Sequence, residues 1–250
     1  MRNVIHEKLK NLRLSGIIGH LELRMQEARA NTLDYAEFLE ILLEDELLNR
    51  QNKKKERALK KANFRNLKTL EDFDWQFNPN IDKKLFFELA TGQFIRDGQD
   101  ILLVGPPGTG KTHIAQAIGY EAVKQGFDVI YRSIFDIVRE LKFPDASKRE
   151  ESVLNKYLKC DVLIIDDMGL KCLPDNTGEY LFEIIMRRFE LKSTVMTSNR
   201  PIEDWGKLIG DIPTTGAILD RLLQNAKIIP FKGRSYRLRK NKTTESTAST

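Results

Sequence analysis

The chain has 250 residues, 41% hydrophobic and 31% charged, with a formal net charge of +5. That length holds one large or two modest domains, and the hydrophobic share is enough for a real core beneath a charged, water-facing surface. No apolar run approaches the roughly 20 residues of a membrane span, and Met1-Arg2-Asn3 leads into charged sequence instead of a signal-peptide core; a cytoplasmic protein without a membrane partner is expected.

Residues 3–30 read as helix interrupted at Ser15-Gly16: Ile5, Leu9 and Leu12 form one apolar stripe, and Ile17, Leu21, Met25 and Ala28 resume it. A second helix begins with Asp34 as N-cap and Glu37 three residues on, a capping box, with Leu33 placed to staple onto Phe38. Its apolar positions Tyr35, Phe38, Leu39, Leu42 and Leu47 make a face too wide to be left in water. The helix then turns basic. Between Arg50 and Lys68 there are nine basic residues and one acid, and between Lys227 and Lys242 seven basic residues and none. Such clusters are either an electrostatic footprint for nucleic acid or solvated helix faces and a tail. The nucleic-acid reading takes Lys53, Lys54, Lys55, Arg57, Lys60 and Lys61 as the contacting region. A domain boundary is expected near Phe64. It gives a helical domain over 1–64 with a basic linker, a catalytic domain over 65–238 and a disordered polar tail over 239–250.

Next comes a turn-rich aromatic stretch in which Phe73, Trp75 and Phe77 could flank a nucleotide base or pack the domain edge. One or two helices over 80–95 precede the apolar run Ile101–Val104, a buried strand by pattern. It enters Gly105-Pro106-Pro107-Gly108-Thr109-Gly110-Lys111-Thr112, and His113–Lys124 leaves as a helix. Strand, glycine loop and helix N-terminus place backbone N–H groups and the positive end of a helix dipole against phosphates. In G-x-x-x-x-G-K-[ST] the Lys reaches the β- and γ-phosphates and the Thr hydroxyl holds Mg²⁺. Gly105–His113 are therefore the candidate ATP-binding residues, with ATP and Mg²⁺ as expected cofactors.

A second strand is predicted over 127–132, a helix over 134–141, a loop at 143–147 and a helix ending near Leu158. The run Val162-Leu163-Ile164-Ile165-Asp166-Asp167 then brings paired acids to a strand end, as a Walker B strand requires; a solvated turn is the plainer alternative. Asp166, with Thr112, is the candidate Mg²⁺-side group, and Asp167 the candidate base. A helix over 179–191 leads to a fourth strand over 193–199 whose terminal Asn199 could reach the γ-phosphate or its water, or simply turn the chain before Arg200-Pro201. A helical stretch over 217–223 and a last strand over 226–231 follow. Cys160 and Cys172 lack C-x-x-C spacing, and His6, His20 and His113 form no ligand set, so neither a disulfide nor a further metal is suggested.

Together GPPGTGKT at 105–112, LIIDD at 163–167, TSNRP at 197–201 and LDRLLQNAKIIPFKGRSYR at 219–237 resemble the AAA+ ATPases of the IstB and DnaC group. KLKNLRLSGIIGHLELRMQEA and YAEFLEILLEDE are similar to the helical N-terminal domain of IstB-type transposition helpers. The resemblance implies an α/β fold, a P-loop AAA+ parallel five-stranded sheet between helices, beside a small all-helical domain. It also implies Asn199 in the sensor-1 role and a homo-oligomer in which Arg221 reaches a neighbour's ATP, unless Arg221 makes a salt bridge within its own helix. Arg187, Arg188, Arg234 and Arg237 are lesser candidates for γ-phosphate contacts. Asp-Asp in place of the frequent Asp-Glu points to slow hydrolysis, and the short sequence after the last strand leaves no room for a helical lid. The expected function is an ATPase that assembles on duplex DNA and assists a transposase. The alternative is a DnaC-type loader whose partner is a hexameric helicase; a small-molecule kinase would need an acceptor pocket that no motif supplies.

Overall fold

The computed structural model describes residues 2–142, 150–169, 177–206 and 212–238. The loop expected at 143–147, Cys172 and the tail from 239 lie outside them. The chain divides into two compact units, residues 1–57 and 58–250. Among the described residues no helix is long and apolar enough to cross a membrane.

The first unit holds α1 (Arg2–Asn11), α2 (Ser15–Asn31) and most of α3 (Tyr35–Ala62). Asp34 and Glu37 form the expected reciprocal cap at the start of α3, with N–H···O distances of 2.8 and 2.9 Å. The helix break is not at Ser15-Gly16. It falls just before, where Arg13 takes a left-handed φ of 57°, and Gly16 lies inside α2, where a Cβ would stand 2.7 Å from the Asp45 carbonyl oxygen on α3. Gly16 is there for close helix approach and breaks nothing. The N–H groups at the start of α2, which lack partners within the helix, are met from α3: Glu46 accepts from Gly16 N–H at 2.7 Å and from Ile17 N–H at 3.3 Å. Ile17, Leu21 and Leu42 form the small core, while Tyr35, Leu39 and Leu47 remain largely exposed.

The second unit is a five-stranded parallel sheet of order β2-β3-β4-β1-β5, with β1 Asp100–Val104, β2 Val129–Ser133, β3 Val162–Met168, β4 Ser193–Ser198 and β5 Ala226–Pro230. Strand alternation splits the apolar positions into two cores. Ile101, Leu103, Val129, Tyr131, Ile164 and Val195 face α6 (Lys111–Lys124) and the short helices α4 (Lys83–Leu89) and α5 (Gln93–Arg96). Leu102, Ile130, Leu163, Ile165 and Met196 face α7 (Ile134–Lys142), α8 (Glu150–Lys159), α9 (Thr177–Arg188) and α10 (Ile212–Asn225). Parallel strands covered on both faces explain the unbroken hydrophobic runs in the sequence.

Two buried charges organise the sheet's lower edge. Arg188, one of the lesser candidates for γ-phosphate contact, is 1% exposed and donates to the carbonyls of Tyr157, Cys160 and Ser193 at 2.6, 2.9 and 2.6 Å. It ties the end of α8 to the start of β4 and cannot reach phosphate. Asp100 accepts from Thr194 N–H at 2.6 Å, and burial pushes its carboxyl up to about 6. A carboxyl raised in the folded state is protonated there while the unfolded chain has already ionised, so stability falls as pH rises from about 4 to 6. Asp100→Asn removes that loss: thermal melts should show the variant gaining on the wild type between pH 4 and 6, by on the order of 3 kcal/mol, then a constant gap above pH 7.

Candidate active site

In a parallel sheet ligands gather at the C-terminal strand ends, and β1, β4 and β3 are the three central neighbours here. β1 runs into the glycine loop, β3 into Asp166-Asp167 and β4 into Asn199. Cross-strand bonds fix the exits. Gly105 N–H donates to Ser198 O and Asn199 N–H to Met168 O, both at 3.1 Å. The loop itself depends on glycine at Gly110, whose φ is +105° and where a Cβ would stand 2.5 Å from the Phe73 ring.

Asp166 is fully buried. Its Oδ1 accepts from the Thr112 hydroxyl at 3.0 Å and from the Thr197 hydroxyl, and its Oδ2 from the Tyr131 hydroxyl at 2.5 Å. Burial, followed by the Asp166 charge, raises the Tyr131 phenol above its usual range, so it stays a donor. Thr112 Oγ1 and Asp166 Oδ1 are hard oxygen donors side by side at the head of α6. Among the described residues no group of three His, Cys, Asp or Glu could hold a metal. A lone hydroxyl–carboxylate pair beside a phosphate cradle suits Mg²⁺, which takes few protein ligands and fills its shell with phosphate oxygens and water.

Strand alternation would send Asp167 to the face opposite Asp166. Instead the β3–β4 register shifts between Ile165 and Met168, and Asp167 adopts φ +66° with its N–H donating to Thr197 Oγ1 at 3.2 Å. This bulge re-aims the carboxylate into a cavity of about 410 Å³. Pro107–His113 and Asn199 also line it, as do Phe73, Phe77, Asn78, Tyr236 and Arg237. Burial, then the charge of Asp166, raises the Asp167 carboxyl, opposed by Arg65 at 3.0 Å. The Lys111 ammonium donates to the carbonyls of Gly105 and Pro106 at 2.7 Å each, and burial brings it down to about 8.

Of the aromatic stretch, Phe73 and Phe77 face the cavity, whereas Trp75 packs on Phe73 and Phe86 and donates its indole N–H to Leu70 O at 3.1 Å. The chain after β5 folds back over the loop: Tyr236 N–H donates to Gly108 O at 2.9 Å, and its ring meets Phe77 edge-on at 5.0 Å. Arg237, the next residue, thus lines the cavity. Arg187 pairs with Glu183 at 3.0 Å on α9, and neither it nor Arg234 lines the cavity. Arg221, on α10, also stands away from it, its guanidinium 5.3 Å over the Phe189 ring. Of the basic run, Lys54, Arg57 and Lys60 are exposed, Lys53 donates to Ser15 Oγ at 2.7 Å, and Lys61 pairs with Asp128 at 2.5 Å. Sequence reasoning missed Tyr131, Thr197, Asn78 and Arg65. A tyrosine inside an apolar strand next to the acid-bearing one was the available signal for the first.

Fold and site define a P-loop NTPase of the AAA+ kind. Solved structures with the same fold include DnaI (TM-score 0.55, 23% identity, covering 66% of this chain and 91% of that one) and the DnaC helicase loader (TM-score 0.51, 25% identity, 60% and 88%). The chain belongs to the family described as IstB-like ATP binding protein, whose profile matches residues 7–244. The protein designated as the ATP-binding protein of insertion sequence IS5376 in Geobacillus stearothermophilus is 36% identical over 98% of both chains. Its IS21 counterpart in Pseudomonas aeruginosa is 36% identical over 94% of this chain and 88% of its own.

The triple hydroxyl cage of Asp166 carries a testable cost. Tyr131→Phe removes one charge-assisted hydrogen bond from a fully buried carboxylate, and urea unfolding should show a loss of about 1–3 kcal/mol with an unchanged slope.

Proposed function

We propose that the protein is a Mg²⁺-dependent ATPase that assembles in several copies on duplex DNA and assists a transposase. The observation that carries the enzymatic part is the Thr112–Asp166 bond at the head of a phosphate-shaped loop, with Asp167 and Asn199 facing the same cavity. The insertion-sequence designations of relatives that align over nearly the whole chain support the transposase.

In this reading the N–H groups of residues 108–112 and the α6 dipole hold the β-phosphate, and Lys111 exchanges its two carbonyl partners for β- and γ-phosphate oxygens. Thr112 and Asp166 would hold a Mg²⁺ ion, which would supply positive charge to offset that of the phosphates. Asp167 accepts a proton from water as its oxygen bonds to the γ-phosphorus and the bond to ADP breaks. Asn199 and Arg237 steady the γ-oxygens. Arg221, remote from its own cavity, serves the cavity of a second copy; a finger of this kind is worth roughly 10³–10⁵ in rate. Exposed Lys54, Arg57 and Lys60, with their basic neighbours, meet DNA phosphates without reading sequence.

Light scattering with duplex of about 60 base pairs tests assembly. With ATP the wild type should grow into a large, salt-sensitive protein–DNA particle; Lys111→Ala should stay small. Asp167→Asn should bind ATP and assemble without turnover, and Arg221→Ala should bind ATP as a monomer yet lose cooperative hydrolysis. If the wild type responds to single strands or a hexameric helicase and ignores duplex, the helicase-loader alternative replaces this one.

A further inference from the structure

Asp167 is not alone in its cavity wall. Arg65 Nη2 stands 3.0 Å from Asp167 Oδ2, with the arginine side chain 51% and the aspartate side chain 20% exposed. The cation therefore spans from solvent to the acid that faces the phosphate loop. Its backbone is pinned on both sides. Ala62 is fully buried, the Phe64 ring lies 6.1 Å from Tyr131, and Asn66 N–H donates to Gln116 Oε1 at 3.2 Å. Asp167 is pinned as well, by its N–H on Thr197. Only the two side chains are free to part.

We propose that Arg65 is a brake on hydrolysis: it occupies the carboxylate of Asp167, and the phosphates of bound duplex DNA draw it away. The proposal rests on the reading of Asp167 as the group that takes the proton from water. While Arg65 holds Oδ2 at 3.0 Å, that oxygen is engaged by the guanidinium and is not free to meet a water, so the pair slows the step that Asp167 serves. The negative charges facing Arg65 are those of Asp167 and Asp166, both at the site. In the chain Arg65 follows the basic run that begins at Arg50, and both Lys60 and Arg65 are exposed. Guanidinium binds phosphate at least as readily as carboxylate, in the same forked geometry. A half-exposed ion pair is weak enough for such an exchange to run either way, which a switch requires.

The test is steady-state ATP hydrolysis by Arg65→Gln and Arg65→Lys beside the wild type, with and without duplex DNA, and without DNA across a range of salt. The wild type should be slow alone, faster with DNA and faster with salt, which screens the pair. Arg65→Gln should raise the DNA-free rate about 3–10-fold and lose most of its response to both, with unchanged melting temperature and unchanged affinity for a fluorescent ATP analogue. Arg65→Lys, which keeps a charge without the fork, should fall between. A DNA-free rate for Arg65→Gln at or below the wild type, at equal nucleotide affinity, overturns the brake. A raised rate in a protein that binds no duplex supports the brake and overturns DNA as its trigger. Arg65→Gln/Asp167→Asn separates the two readings: turnover that survives in it sinks the role of Asp167 itself.

Discussion

The second unit depends on one buried carboxylate. Asp166 sits at the end of β3 with no exposure, and its charge is held by hydroxyls from α6, β2 and β4. An ionised group there is tolerable only when its lone pairs are met, so the side chains of three flanking elements are obliged to converge on it. That convergence sets the height of the phosphate loop relative to the acidic strand end. Because Thr112 is the residue after Lys111, its bond to Asp166 also fixes where the lysine leaves the loop.

The next residue shows what a single bulge achieves. In an unbroken strand, Asp166 and Asp167 would point to opposite faces and only one could serve the cavity. A left-handed Asp167, with its amide on the Thr197 hydroxyl, turns the second carboxylate to the same site. Thr197 thus serves both acids, donating to one and accepting from the backbone of the other. The local strain is of the sort that persists where packing over-determines it.

Much of this was legible in the residues. Apolar runs bounded by glycine and acid gave the five strands to within two residues, because buried parallel strands need continuous hydrophobicity. The loop octet, Asp166, Asp167 and Asn199 could be placed at strand ends from sequence because they follow directly on those runs. What pattern could not supply was anything made by distant segments. Ser15-Gly16 has the composition of a break, yet Gly16 is a contact surface for α3 and its helix start is capped by Glu46, 30 residues away. Arg188 is a lesser candidate for γ-phosphate contact by sequence and is instead buried among the backbone carbonyls of Tyr157, Cys160 and Ser193. Arg237 lies beyond the last strand, and no periodicity says that the chain there returns to the loop.

That return has a further consequence for how the molecule comes into being. The cavity is walled by residues 68–78, the loop at 105–113, the ends of β3 and β4, and Tyr236-Arg237. Its parts lie across most of the sequence, so closing it carries the entropic toll of long-range contacts and comes late in folding. During synthesis a chain whose sheet is complete through β4 still lacks a wall.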